Sequence, residues 1–246
     1  MQRIITLVVL SLTMAAVSTV RADEGAEKAQ KIINRAIKAM GGSEALEKKK
    51  IVVMKETGTY YGMDDALPYE SEYKMQFPKR SRMEIINVFT IVVNDTQAWT
   101  STMGETTEVE GDQLTEQREG MHIAYITSLI PLAKPGKVYR LSLAAEEKVD
   151  GELCDGVKVE SDKHRSVKLF FSRKTGLLRK SEATVRSSEL SEDVVQVTIY
   201  KDYRDVDNVK TAFKMVVNRD GKVYIESETT KVSYPKEADA SWFKKP

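Results

Sequence analysis

The sequence predicts a mainly β protein in which helices cover an open antiparallel sheet or a partial barrel of about ten strands. Three observations predict this fold class. Residues 26–40 carry apolar side chains at three- and four-residue steps, the period of an amphipathic helix. From Ile51 onward the period changes to two, as in strands with one covered and one solvated face. Residues 112–130 interrupt the strands with a second helical pattern.

Residues 1–22 are predicted to form a signal peptide. Arg3 supplies an early positive charge, an apolar stretch runs from Ile4 to Val17, and the small-residue pattern Val20-Arg21-Ala22 precedes Asp23. The alternative is an uncleaved membrane anchor, which the shortness of this stretch disfavours. We therefore expect a periplasmic or secreted protein whose single domain spans residues 23–246.

Composition excludes several classes of function. Without the predicted leader, the chain has 36 Lys and Arg against 37 Asp and Glu, a balance that argues against a nucleic-acid partner. The single cysteine, Cys154, excludes an intrachain disulfide and a thiolate-rich zinc site, and we interpret it as a buried apolar side chain rather than a reactive thiol. We expect neither a metal nor a cofactor.

No catalytic motif is found in the sequence. It lacks the Gly-x-Ser-x-Gly, His-Glu-x-x-His and Cys-x-x-Cys patterns and any phosphate-binding or dinucleotide-binding glycine loop. Of the two histidines, His164 is predicted to be exposed in a turn and His122 to be a partly buried packing residue. We therefore expect no catalytic residue and no enzyme activity. The alternative is a hydrolase whose acidic residues come from distant positions.

The first helix is predicted to end at Gly41-Gly42, where glycine accepts the left-handed conformation of a helix end. Ser43 is predicted to cap a further short turn. Strands are predicted where apolar and polar residues alternate. Two pairs of neighbouring strands form hairpins around Gly-containing turns, near Gly176 and Gly221. No Gly, Ser or Pro linker divides the strands, so we expect one sheet. The predicted strands are residues 69–77, 82–87, 89–94, 98–101, 167–171, 177–185, 194–200, 213–217 and 223–228.

The helix over residues 112–130 is predicted to begin at Asp112 as its N-cap and to end before Pro131. It carries apolar side chains on two sides, so it needs two apolar partners. It is either a core helix or a lid whose second side covers a ligand cavity. One apolar stripe comprises Leu114, Met121, Tyr125 and Leu129, and the other comprises Ile123, Ile126 and Ile130.

A twisted sheet that does not close leaves an apolar concave face, which a water-soluble protein has to cover. If the cover is hinged, the same face can hold an acyl chain, with roughly 0.8 kcal/mol gained per buried methylene. The candidate lining residues are large, apolar and placed on strand or helix stripes. They are Tyr73, Met75, Met83, Ile85, Trp99, Met121, Tyr125 and Leu129.

The order of these parts resembles the LolA-like outer-membrane lipoprotein-sorting proteins. The resemblance rests on a helix ending in Ala39-Met40-Gly41-Gly42, a Pro-x-Arg-x-Arg-x-Glu stretch at residues 78–84, the run 174–180, the stretch 202–213 and a final strand ending near Phe243. It implies an unclosed antiparallel β-barrel, or half-barrel, of about eleven strands covered by helices. In that family a basic residue precedes the proline and helps to hold the lid, whereas here that position is Phe77.

The resemblance also implies a function. We expect a monomeric periplasmic carrier that holds a lipid or lipoprotein acyl chain in a hydrophobic cavity, without catalysis and without a nucleic-acid partner. Envelope membrane proteins are further expected partners. The alternative is a non-catalytic envelope module, for protein interaction or stress sensing, whose core is filled by its own side chains.

Overall fold

A computed structural model describes residues 13–62, 65–134 and 138–246, with side chains from Glu24 onward. Most of the predicted signal peptide, residues 1–12, lies outside the described residues, and its cleavage stays a prediction. Residues from Thr13 belong to helix α1 (Thr13–Ala39). Among the described residues, no helix has both the length and the apolar character that a bilayer span requires.

In the described part of the chain, thirteen strands form one antiparallel sheet in the order β6-β5-β4-β3-β2-β1-β13-β12-β11-β10-β9-β8-β7. Two meanders therefore meet where β1 pairs with β13, and the edge strands β6 and β7 do not pair with each other. The predicted open, helix-covered sheet is confirmed, but thirteen strands exceed the predicted count. The strands are β1 (Ile51–Tyr60), β2 (Leu67–Gln76), β3 (Arg80–Ile85), β4 (Phe89–Val93), β5 (Ala98–Thr102), β6 (Glu105–Glu108), β7 (Arg140–Val149), β8 (Glu152–Glu160), β9 (Val167–Ser172), β10 (Leu178–Ser187), β11 (Glu192–Val206), β12 (Val209–Arg219) and β13 (Lys222–Ser233).

Two predicted helix boundaries were wrong. Helix α2 (Gly42–Lys48) begins after Gly41, which has φ 110°, so Ser43 lies inside the helix instead of capping it. Helix α3 (Gly111–Thr127) has Glu110 at its N-cap position and ends before Leu129, whose φ is 64°. A short 3₁₀ helix, Ile130–Leu132, follows, and its proline lacks the N–H that a continuing α-helix would need.

The main core lies between α1 and the strands of the second meander. Every third or fourth residue of α1 from Ala29 to Met40 is buried, which confirms the predicted apolar stripe. The end of α3 and the following 3₁₀ helix complete this core. Its buried members are Ala29, Ile33, Ala36, Ile37, Met40, Leu46, Ile126, Leu129, Leu132, Val157, Val159, Val167, Leu169, Phe171, Leu178 and Ala183.

The second meander also contacts the end of α1 at Gly41. Met40 O accepts a hydrogen bond from Lys210 N (3.2 Å) at the start of β12. A Cβ atom added at Gly41 would lie 2.3 Å from the carbonyl oxygen of Asn208, whereas one at Gly42 would meet no atom within 4 Å. Gly41 is therefore needed for close approach as well as for its left-handed backbone.

The substitution Gly41→Ala is expected to lower the free energy of unfolding more than Gly42→Ala. Both place alanine at a positive φ, a cost of about 1–2 kcal/mol each, but only Gly41→Ala also forces an overlap with Asn208 O, which adds about 1–3 kcal/mol. Urea unfolding of both variants measures the difference. Equal destabilisation would contradict the assigned role of the Gly41 contact.

Candidate ligand-binding cavity

The strand register defines two faces of the sheet. Residues directly opposite each other on neighbouring strands project to the same side. Met54, Tyr73, Met83, Ile91 and Thr100 are successive partners across β1 to β5, so they share one face. We call this the inner face, because α3 packs over it.

A cavity of about 410 Å³ lies between the inner face and α3. Its walls come from β1 and β2, from β10 to β13 and from α3, so both meanders contribute. The volume is within the range of small-molecule sites, which are mostly apolar concavities with a few polar groups. The apolar lining residues are Met40, Val52, Met54, Tyr73, Met75, Phe77, Ile123, Ala124, Leu178, Tyr200, Tyr203, Ala212, Met215, Val217, Val232 and Tyr234.

Small residues of α3 leave the space open. Gly120, Ala124 and Thr127 follow one another at four and three residues, so they lie along one side of the helix. All three line the cavity, together with Ile123. Larger side chains at these positions would fill the space between helix and sheet. The cavity therefore depends on a stripe of small residues that the search for large apolar residues overlooked.

Six of the eight predicted lining residues fall into three groups. Tyr73 and Met75 line this cavity. Met121 and Tyr125, on another side of α3, line a neighbouring cavity of about 300 Å³. Met83 and Ile85 lie on the inner face, but neither lines this cavity in the described part of the chain. Met83 instead packs with Ile91 in a small cluster beneath the start of α3. Binding of a ligand by these side chains stays a prediction.

Trp99 and Leu129 are not where the sequence analysis placed them. Trp99 is opposite Val92, on the outer face, and is 7% exposed. The outer face carries Lys74, whose ammonium lies 5.7 Å from the ring of Trp242 in the C-terminal segment. Leu129 lies beyond the end of α3 and is fully buried in the main core. Strand alternation does not reveal which face is concave, and the helix ended earlier than its apolar pattern.

Glu56 is a buried acid in the cavity wall that the sequence analysis missed. It is 3% exposed, and its Oε1 has no hydrogen-bond partner among the described residues. Burial raises the pKa of this carboxyl to about 7. The signal was present in the sequence, because Glu56 continues the inward-facing series of Val52 and Met54. An acid in phase with an apolar stripe marks a buried charge.

Lys49 lies in the cavity wall just before β1. It is half-buried, and burial lowers the pKa of its ammonium to about 8. No ion pair joins Lys49 or Glu56 to an opposite charge within the described ranges. The cavity wall is therefore mostly apolar, with the basic Lys49 and Lys210 and the acidic Glu56 at different points.

The first turns of α3 are attached to the sheet by acidic side chains. Asp112, Glu116 and Glu119 lie at helical spacing on one side of α3. Asp112 pairs with Arg186 (2.8 Å), Glu119 with Arg165 (2.9 Å), and Glu116 Oε1 with Arg219 Nη2 (2.6 Å). We call these three ion pairs the helix latch.

Glu116 has the most buried contacts of the latch. The side chains of Glu116 and Arg219 are 16% and 14% exposed, and Glu116 Oε2 also accepts hydrogen bonds from the backbone N and Oγ of Ser188. At the other end, Phe77 stacks on Tyr125 with ring centroids 5.7 Å apart. Phe77 therefore contacts the covering helix through its aromatic face.

The two histidines, His122 on α3 and His164 in the turn before β9, lie together. The buried His122 stacks on the exposed His164 with centroids 4.0 Å apart, and burial lowers the pKa of His122 to about 4. Their burial and exposure agree with the sequence analysis, as does the burial of Cys154. The described residues contain no group of three His, Cys, Asp or Glu side chains able to hold a metal ion.

The variant Glu56→Gln is expected to be more stable than the wild type at pH 8, by about 1–3 kcal/mol. The pKa of Glu56 is about 7 in the folded state and near 4.5 in the unfolded state. The contribution of the protonated carboxyl to the free energy of unfolding is therefore complete below pH 4.5 and is lost as the pH rises through 7. The difference should therefore close below pH 5. Urea unfolding at pH 5 and pH 8 measures it.

The matched control is Glu70→Gln, an exposed acid one residue from Ser71 on the opposite face of β2. Its difference from the wild type should stay within about 0.5 kcal/mol at both pH values. Comparing each variant with the wild type at the same pH removes the opposite contribution of His122, whose lowered pKa reduces stability as the pH falls. A Glu56→Gln protein less stable than the wild type at pH 8 would contradict the assignment.

The variant Glu116→Gln is expected to loosen α3. It leaves the guanidinium of Arg219 without its carboxylate, which should lower the free energy of unfolding by about 1–3 kcal/mol and speed hydrogen exchange of the α3 amides. Glu110→Gln, an exposed acid just before the helix, serves as the control. If both variants exchange α3 amides at the same rate, the latch does not hold the helix.

No protein-family profile and no curated protein matches the chain at a significant level. Solved structures do match. A LolA superfamily protein from Nitrosomonas europaea is 12% identical with a TM-score of 0.58, and the match covers 88% of this chain and 97% of that protein. A protein described as an outer membrane lipoprotein-sorting domain, from Vibrio parahaemolyticus, is 9% identical with a TM-score of 0.55, over 89% and 97%.

A DUF1329 family protein from Desulfovibrio piger is 12% identical with a TM-score of 0.59, and the match covers 88% of this chain and 97% of that one. Identities this low establish shared architecture and nothing finer. The three matches cover 88–89% of this chain. The chain therefore has the LolA-like fold that the sequence resemblance implied.

Proposed function

We propose that this protein is a periplasmic carrier that binds an acyl chain of a lipid or lipoprotein in the cavity beneath α3, and that it catalyses no reaction. The observation that carries the proposal is the apolar cavity between the inner face of the sheet and a helix attached by polar contacts. The alternative of a pure interaction module requires a filled core, and the space of about 410 Å³ beneath α3 favours the carrier instead.

The energetics of the cavity favour an acyl chain. Burying ten methylenes contributes roughly 8 kcal/mol, which exceeds the lower estimates of the cost of association, about 4 kcal/mol. Methionine side chains at Met54, Met75 and Met215 suit such a ligand, because they adapt to a flexible chain. The lipoprotein-sorting description of the Vibrio parahaemolyticus protein, which shares the fold, supports the same ligand class.

A ligand would enter most easily if α3 moved. When the helix lifts, Asp112 and Glu119 exchange partly exposed arginine partners for water at little cost, whereas the less exposed Glu116–Arg219 pair and the buried Ile126 oppose the movement. The apolar contacts of α3 are smallest where Gly120 and Ala124 face the cavity. We therefore assign α3 the role of the lid.

The predicted signal peptide supports a periplasmic location. A carrier in that compartment exchanges its cargo with membranes, so envelope membrane proteins are the expected donors and acceptors. We propose that the carrier acts as a monomer.

Delipidated protein is expected to gain thermal stability when a fatty acid or a diacylated lipopeptide is added. The gain follows RT ln(1 + [L]/Kd), about 2.7 kcal/mol at a ligand concentration of 100 Kd. Native mass spectrometry of protein purified from the periplasm should also detect a bound lipid by its mass. The absence of any shift across a broad panel of lipids would refute the carrier function.

Two matched variants test the location of the site. Val217→Trp places a large side chain in the cavity, whereas Val195→Trp makes the same change at an exposed position of β11. The ligand-induced gain in stability should be lost in Val217→Trp and retained in Val195→Trp. An equal gain in both would place the lipid elsewhere.

A further inference from the structure

Two buried polar atoms without partners belong to neighbouring strands of the sheet, and one of them, on Glu56, is in the cavity wall. Glu56 on β1 is directly opposite Ser71 on β2, and their side chains are 3% and 2% exposed. Neither Glu56 Oε1 nor Ser71 Oγ has a hydrogen-bond partner within the described part of the chain. Native proteins satisfy nearly all buried polar atoms, so two neighbouring exceptions call for an explanation.

The neighbouring groups do not satisfy them. On the other side of β1, Thr229 is opposite Glu56, but its hydroxyl donates to Met54 Sδ (3.5 Å). The register between β1 and β13 shifts by one residue just before Glu56. Such bulges re-aim side chains and are frequent beside binding sites. Glu56 is left lining the cavity with its oxygen unused.

The adjacent backbone also gives this part of the wall a specific shape. A Cβ atom at Gly58 would lie 2.6 Å from the hydroxyl oxygen of Tyr69, so only glycine lets this ring lie across β1. Tyr69 and Tyr73 of β2 lie near Glu56, and burial, followed by the charge of this carboxylate, raises the pKa of both phenols. Aromatic rings thus border an acceptor at the wall of an otherwise apolar space.

We propose that Glu56 and Ser71 bind the polar head of the cavity ligand, and that this head donates hydrogen bonds. This proposal rests on the carrier function above. It restricts the class of ligands to amphiphiles whose head carries an amine, a hydroxyl or an amide N–H. A carboxylate head would be repelled by Glu56, because like charges in a poorly solvated site destabilise each other. The acyl chain lies along the methionine-rich remainder of the cavity.

Binding of matched twelve-carbon compounds tests the proposal. Dodecylamine and dodecanol carry donor heads, methyl dodecanoate offers only acceptors, and dodecanoate carries a negative charge. Displacement of a fluorescent apolar probe from delipidated protein at pH 8 measures each affinity. The wild type should bind the two donors at least tenfold more tightly than the ester, equivalent to about 1.4 kcal/mol, and should bind dodecanoate most weakly.

Three variants assign the preference to its residues. Glu56→Met and Ser71→Ala should each reduce the preference for donor heads to less than threefold while still binding the ester. Glu70→Met, on the opposite face of β2, should keep it. Ser71→Ala is a small change that keeps the test decisive if Glu56→Met does not fold.

The outcomes separate this inference from the carrier function. If the wild type binds all four compounds equally, or if its preference survives both Glu56→Met and Ser71→Ala, the head-group site is refuted and the carrier function stands. Preference for dodecanoate would also refute the head-group site and would indicate Lys49 as the anchor. If the wild type binds neither the probe nor any dodecyl compound, both proposals fail.

Discussion

The structure depends on the need to cover the apolar inner face of a sheet that curves without closing. Thirteen antiparallel strands leave two free edges within the described residues, so hydrogen bonding alone cannot complete the body. Helices have to remove the inner face from water. The two long helices do this differently. The buried side of α1 interlocks with the second meander, whereas part of α3 presents Gly120, Ala124 and Thr127 to the sheet and leaves a space.

In the proposed carrier, this difference would make α1 the fixed cover and α3 the releasable one. Moving α1 would expose Ile33, Ile37 and Met40 together with the strands beneath them, at roughly 1.5–3 kcal/mol for each large side chain. On α3, Ile126 is also buried in this core, but the helix latch ends in charged groups, of which Asp112 and its partner Arg186 are partly exposed to water. A protein that exchanges a buried ligand needs one cover of each kind, because the first preserves the fold while the second opens.

Local sequence signals were sufficient for the fold but not for the cavity. The alternation in β2 and the turns near Gly176 and Gly221 were detected because neighbouring residues determine them. Strands β6 and β7 were not predicted, and β8 was predicted only in part. β6 is polar, and β7 contains the run Ala144-Ala145-Glu146-Glu147 beside a register shift. Trp99 was assigned to the wrong face because alternation gives two faces without saying which one curves inward.

The cavity itself is formed by residues from seven elements and by what α3 lacks, so no single segment of the sequence predicts it. The acidic series Asp112, Glu116 and Glu119 could have been found from its helical spacing. It was passed over because a charged side of a helix usually faces solvent. Its partners, Arg165, Arg186 and Arg219, come from strands and turns far along the chain, and only the fold brings them to α3.

Affinity and orientation in such a cavity have separate physical sources. Contact with Met75 or Met215 contributes free energy in proportion to buried area but holds an acyl chain equally well in many positions. A buried acceptor such as Glu56 is costly to leave unpaired and recovers that cost in only one position of a donor. If Glu56 binds the head group as proposed, a correctly placed head group would stabilise the state in which α3 covers the cavity more than a state in which α3 has lifted. Closure of the lid and placement of the head group are then thermodynamically coupled, and a chain without a donor head would leave the lid easier to open.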